Sequence, residues 1–121
     1  MCLFVTGALP SYHVIEEFMR AVTGWDITLD ELLVAGERIE NVRQAFNIRE
    51  GINLLNFEVS GRVFGRPPHK EGPLAGITVD ADTIVREYVA AMDWDLKTAK
   101  PSEKKLKELG LDDIAGDLWP K

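Results

Sequence analysis

Residues 28–51, TLDELLVAGERIENVRQAFNIREG, decide the fold class. Thr28 followed three residues later by Glu31 has the spacing of a capping box, in which hydroxyl and carboxylate each satisfy an amide left unpaired at a helix start. From there Leu32, Ala35, Ile39, Val42 and Phe46 recur at steps of three and four. That period keeps one apolar stripe facing a partner for about five turns. Gly51 supplies the stop, because glycine accepts positive φ. Arg49 suits the negative end of the helix only in part, since Glu50 sits beside it.

On the N-terminal side, residues 11–25 carry Tyr12, Ile15, Phe18, Met19 and Val22 with Glu16, Glu17 and Arg20 between them. This predicts an amphipathic helix, with Pro10 near its start and Gly24 at its end. On the C-terminal side, Asp80 is a good N-cap for a third helix, whose expected buried stripe is Ile84, Val85, Tyr88, Val89 and Met92. Pro101-Ser102 opens a short, charged fourth helix through Leu106 and Leu109, closed by Gly110, with a last turn around Asp112 to Leu118. The first and third helices end alike, in Thr23-Gly24-Trp25-Asp26 and Met92-Asp93-Trp94-Asp95. The expectation is an indole packed back on its own last turn, an aspartate opening the next turn, and tryptophans acting as pegs between helices.

Between Gly51 and Val79 the pattern breaks into short apolar pieces punctuated by Gly61, Gly65, Pro67, Pro68, Gly72, Pro73 and Gly76. Loops of this length inside a domain are usually functional or pinned against another surface. Asn56-Phe57-Glu58-Val59 alternates and is a candidate for a short extended piece. The fold expectation is therefore all-α: one multihelical domain over residues 1–121, with about four to five helices and one long irregular loop, roughly residues 51–79.

The 121 residues, 45% hydrophobic, suffice for one core. Acidic residues outnumber basic ones 20 to 14, giving a net charge of -6. No excess positive field is left to neutralise phosphates, which argues against nucleic acid as a partner. No apolar run approaches the roughly 18 to 20 residues that span a bilayer, and no signal-peptide pattern opens the chain. The expectation is a cytoplasmic chain without a membrane partner. Its only cysteine, Cys2, excludes an internal disulfide.

Candidate chemistry is sparse. Cys2 reads either as a small buried hydrophobe beside Leu3 and Phe4 or as a nucleophile with His13 as base. His13 and His69 stand apart from any metal-ligand spacing, and Glu16-Glu17 has no matching pair on another helix. Arg49-Glu50-Gly51 reads as a helix-end arrangement or a ligand contact. Arg62, Arg66, His69 and Lys70 make the long loop locally basic, suited either to solvent or to an anionic group or acidic partner surface. The loop glycines do not form a phosphate-binding pattern.

Several segments in order resemble the C-terminal region of the tungsten-containing aldehyde ferredoxin oxidoreductase family. They are Cys2-Leu3-Phe4, Val22-Thr23-Gly24-Trp25-Asp26, Gly36-Glu37-Arg38-Ile39, Phe46-Asn47-Ile48-Arg49-Glu50-Gly51, Gly72-Pro73-Leu74-Ala75-Gly76 and Lys107-Glu108-Leu109-Gly110-Leu111. The resemblance implies a three-domain enzyme with a tungsten bis-pterin (molybdopterin-type) centre and one [4Fe-4S] iron-sulfur cluster. Such an enzyme oxidises aldehydes to carboxylic acids and passes electrons to ferredoxin. This chain would be its all-α C-terminal domain, a fragment whose N-terminal and middle domains are its missing partners. In the family's Asp-x-x-Gly-Leu-Cys segment, Cys2 falls on the cysteine that is the fourth [4Fe-4S] ligand, and Met1 on the leucine before it. The other three cluster cysteines are not in this sequence, so the resemblance implies an isolated chain that holds neither cofactor and is catalytically inactive. A different class stays open beside it: a free-standing helical interaction module that binds through the long loop and the surface around Leu3, Phe4 and Trp25.

Overall fold

Thr28 and Glu31 exchange the hydrogen bonds that their spacing predicts. The Thr28 amide donates to Glu31 Oε2 at 2.8 Å, and the Glu31 amide donates to Thr28 Oγ1 at 3.3 Å. In this computed structural model, which describes Gly7, Leu9 and residues 11–120, they open a helix over Leu29–Arg49. We call it α2; α1 is His13–Thr23, α3 Ala81–Ala91, α4 Glu103–Glu108 and α5 Asp112–Leu118. Among the described residues there is no β-strand, and the architecture is all-α. The end of α2 is closed by two backbone bonds, Ile52 N to Asn47 O at 2.8 Å and Gly51 N to Ile48 O at 3.0 Å. They require the left-handed φ of +76° at Gly51, which a glycine adopts without steric cost.

The chain falls into two compact units, Met1–Glu40 and Asn41–Lys121, and α2 contributes to both. In the first unit the described residues bury no side chain fully. Polar contacts organise it instead: Arg20 pairs with Glu16 at 3.1 Å and Asp26 at 3.2 Å, and its Nε donates to Ile27 O. Glu16 in turn accepts from the Leu29 amide at 2.9 Å, tying α1 to the first turn of α2. The apolar residues Tyr12, Phe18 and Val22 of the first helical segment are exposed, and Trp25 is 63% exposed rather than a peg.

The second unit holds two apolar clusters. Leu106, Leu109, Leu111 and Ala115 pack between α4 and α5, with Ile114 and Leu118 against them. Leu106 is completely buried, and such a side chain contributes about 1.5–3 kcal/mol. Val89, Trp94 and Ala99 form the other cluster, with Leu55 and Met92. Trp94 does pack back on its own helix, its ring edge-on to Tyr88 at 5.7 Å. Asp95 then opens a turn, its Oδ1 accepting from the amides of Lys97 and Thr98 and from Thr98 Oγ1 at 2.8–3.0 Å.

The buried face of α2 is not the one that periodicity predicts. Ile39 and Phe46 are 59% and 54% exposed and Val42 is exposed as well, while Asn41, Gln44 and Ala45 point inward. The reason is polar pairing: the Trp94 indole donates to Asn41 Oδ1 at 2.9 Å, and Gln44 Nε2 donates to Ala99 O at 2.7 Å. A helix that approaches a buried N–H and a buried carbonyl must bring partners for both. On α3, likewise, Val89 is buried while Ile84, Val85 and Tyr88 stay exposed.

The loop after α2 contains two short 3-10 turns, Leu54–Asn56 and Gly61–Phe64, and Asn56-Phe57-Glu58-Val59 pairs with no strand among the described residues. Asn53 anchors its start, accepting from the Leu55 amide and donating to Lys97 O at 3.0 Å. Its far end is held by Val79 N donating to Phe64 O at 3.0 Å. Between these ties Gly65 has a φ of +69°, and a Cβ there would lie 2.6 Å from Ile77 O.

Three outcomes are expected from chemical or thermal unfolding. Asn41→Ala leaves the indole N–H unpaired and lowers stability by about 1–3 kcal/mol; combined with Trp94→Phe it costs less than the two losses added, whereas additive losses would mean that the pair is uncoupled. Gly65→Ala is destabilised by at least about 1 kcal/mol through its φ and its clash with Ile77, and an unchanged midpoint would contradict the close approach. The Thr98 side chain and amide, then the Lys97 amide, hold the Asp95 carboxyl below its ordinary pKa. A lowered folded pKa contributes stability above the unfolded value of about 3.9, lost as pH falls through the folded value. Melting curves from neutral to strongly acidic pH are therefore flatter for Asp95→Asn in the acid range than for the parent chain.

Candidate functional site

The long loop and α3 line a groove of about 540 Å³ in the second unit. Leu54, Phe57, Val59 and Phe64 come from the loop, Val85 and Val89 from α3, and Leu96 from the turn after it. Asp82 and Arg86 supply the charged lining. A smaller hollow, about 150 Å³, lies between the second half of α2 and α5, lined by Val42, Phe46, Arg49, Ile114 and Leu118. The groove walls combine the short apolar pieces of the loop with Val85 and Val89 of the stripe expected on the third helix, and add Leu96, which no sequence pattern singles out.

The ionisable groups with shifted pKa values all answer to local structure. Glu31 and Asp80 are held below the carboxylate range by the helix starts they cap, Glu31 through the Thr28 amide first and Asp80 through the Thr83 hydroxyl first. Asp95 is lowered by its turn, and Lys107 is raised by its ion pair with Glu103 at 2.6 Å. A catalytic acid or base would be shifted by burial and a charge partner inside a cleft, and these four lie outside the groove lining. The arrangement offers surfaces for contact.

The residues singled out in sequence do not converge. His13 is exposed on α1, its Nδ1 3.5 Å from Glu16 Oε2. Arg49 pairs with Glu50 at 3.1 Å and lies over the Phe46 ring, a helix-end arrangement. Arg62, Arg66, His69 and Lys70 are all exposed on the loop. Cys2, with Met1, Leu3, Phe4 and Pro10, lies outside the described residues. Among the described residues no three His, Cys, Asp or Glu side chains gather into a metal-binding group. A [4Fe-4S] cluster takes four cysteine thiolates, and with a single cysteine this chain's donor set fits one ligand position. No helix among the described residues is long and apolar enough to cross a membrane.

A sequence model of the family described as "Aldehyde ferredoxin oxidoreductase, domains 2 & 3" matches residues 1–111. The chain is similar to the tungsten-containing aldehyde ferredoxin oxidoreductase of Pyrococcus horikoshii, 32% identical over 114 residues, which cover 94% of this chain and 18% of that protein. The proteins of the same name from Pyrococcus furiosus and Thermococcus kodakarensis are 32% and 31% identical over 111 residues, 92% of this chain and again 18% of theirs. No solved structure matches the chain. It thus spans about a fifth of the length of these relatives, and by the match through residues 1–111 it belongs to the aldehyde ferredoxin oxidoreductase family.

Proposed function

We propose that the chain works as the C-terminal all-α domain of an aldehyde ferredoxin oxidoreductase-type enzyme in the cytoplasm, joined to the N-terminal and middle domains. The observation that carries this is the family match over residues 1–111, at 18% of the relatives' length. On this reading the reaction is the one that the family resemblance implies: an aldehyde and water become a carboxylic acid, with two protons and two electrons released, the electrons passing to ferredoxin. A tungsten bis-pterin, when bound in the complete enzyme, supplies the two-electron chemistry.

The part of this chain is narrower. The Cys2 thiolate holds one iron of a [4Fe-4S] cluster whose other three thiolates come from the missing domains. The groove between the loop and α3 and the hollow between α2 and α5 give those domains apolar surface to cover, which a lone chain leaves in water. Alone, the chain binds neither cofactor and turns over no aldehyde.

Co-expression with the polypeptide carrying the missing domains tests the reading. The complex is expected to contain about four irons per pair, the cluster stoichiometry, and to oxidise aldehydes with a viologen dye as acceptor. Cys2→Ala should lose the cluster's visible absorption and paramagnetic signal. A full cluster in that variant would remove Cys2 from the ligand set. Cluster absorption from this chain alone, after anaerobic treatment with iron and sulfide, would contradict its inactivity in isolation.

A further inference from the structure

We infer that residues 61–70 form a docking surface for an acidic protein partner, which on the reading above is the electron acceptor. Arg62, Arg66 and Lys70 lie in a stretch where Glu71 is the only carboxylate between Ser60 and Val79, within a chain of net charge -6. The rest of the chain, taken together, repels an acidic partner. The other lysine-rich stretch, residues 97–107, engages Lys104 and Lys107 with Glu108 and Glu103 and Lys100 with Leu118 O, so the loop is a stretch where attraction and orientation coincide, and such steering is a feature of fast, weak encounters.

The cations are available. All three are exposed, as is His69 between them. Among the described residues none of the three enters an ion pair. Asp80 feels the charge of Arg66, but its carboxylate is engaged by the Thr83 amide and hydroxyl at the start of α3. They are also held in place. Arg66 N donates to Gly61 O at 2.7 Å and Gly65 N to Arg62 O at 3.2 Å, so both arginines sit on one closed turn. Gly76 N donates to His69 O at 2.9 Å and closes the stretch that carries Lys70. A surface fixed in advance loses little conformational entropy on binding.

Size and composition agree with this use. Lys70 is four positions along the chain from Arg66, a reach of at most about 14 Å. Electron-transfer encounters bury under about 1,200 Å² in all, a patch on each side about 14 Å in radius. Val63, Leu74 and Ile77 are exposed on the same loop and offer the apolar contact that a charged rim surrounds.

The test is a titration of the ¹⁵N-labelled chain with a ferredoxin of net negative charge at low ionic strength. Amide shifts are expected at residues 61–70, fading in about 0.5 M salt, where the screening length falls to about 4 Å. R62E/K70E should weaken binding at least about tenfold with the rest of the spectrum unchanged, and a basic protein of similar size should leave the loop unmoved. Shifts confined to other residues, or an affinity indifferent to the double reversal, would overturn the assignment. The enzyme reading fails separately. If Cys2→Ala keeps its cluster in the complex while the loop still binds ferredoxin, the ligand role falls and the docking surface stands. If the cluster depends on Cys2 while R62E/K70E leaves the complex's KM for ferredoxin unchanged, the docking surface falls.

Discussion

The hydrogen bond from the Trp94 indole to Asn41 fixes how the second unit is built. Both groups are buried, and an indole N–H left unpaired there costs about 1–3 kcal/mol. Once Trp94 is inside, α2 must present an acceptor at that point, and the next inward position, Gln44, meets the Ala99 carbonyl. That carbonyl is free for the contact because Ala99 has a left-handed φ of +55°, which takes it out of any helix. The same turn is stabilised from its other side by Asp95, which gathers the Lys97 and Thr98 amides.

Turning polar residues inward moves apolar ones outward. With Asn41, Gln44 and Ala45 facing the core, helical geometry puts Val42 and Phe46 on the rim of the hollow shared with Ile114 and Leu118. On α3 the burial of Val89 leaves Ile84, Val85 and Tyr88 exposed in the same way. Large exposed apolar surface on a folded chain marks a place where something else sits. On the proposed reading that is the remainder of an enzyme about five times as long.

What could be read in the sequence was the chemistry that acts over a few residues. Thr28 with Glu31, Asp80, and Pro101-Ser102 open the helices they announce, Asp80 accepting from the Thr83 amide and Ser102 from the Lys105 amide. Gly51 and Gly110 stop the helices they follow. The inward faces were not readable, because Trp94 and Asn41 are 53 residues apart and only the folded chain brings them together. An apolar stripe reports a preference for burial and cannot say which other helix, or which other domain, meets it. The interior of the long loop was equally opaque, since its shape depends on Gly65 passing against Ile77. Cys2 was ambiguous as a residue, and only its place in an ordered set of family segments gave it a role.

That role, if Cys2 closes a cluster whose other ligands belong to other domains, couples two equilibria. A ligand set divided between two bodies binds its iron fully only when the bodies are together, so the cluster stabilises the assembly and the assembly stabilises the cluster by the same free energy. The exposed groove and the single thiolate are then parts of one device: apolar contact brings the domains together, and the iron-sulfur bonds hold them. The described carboxylates and lysine with shifted pKa values serve helix ends, a turn and an ion pair. On the proposed reading, the part of this chain in the enzyme is to place one sulfur and to cover one surface.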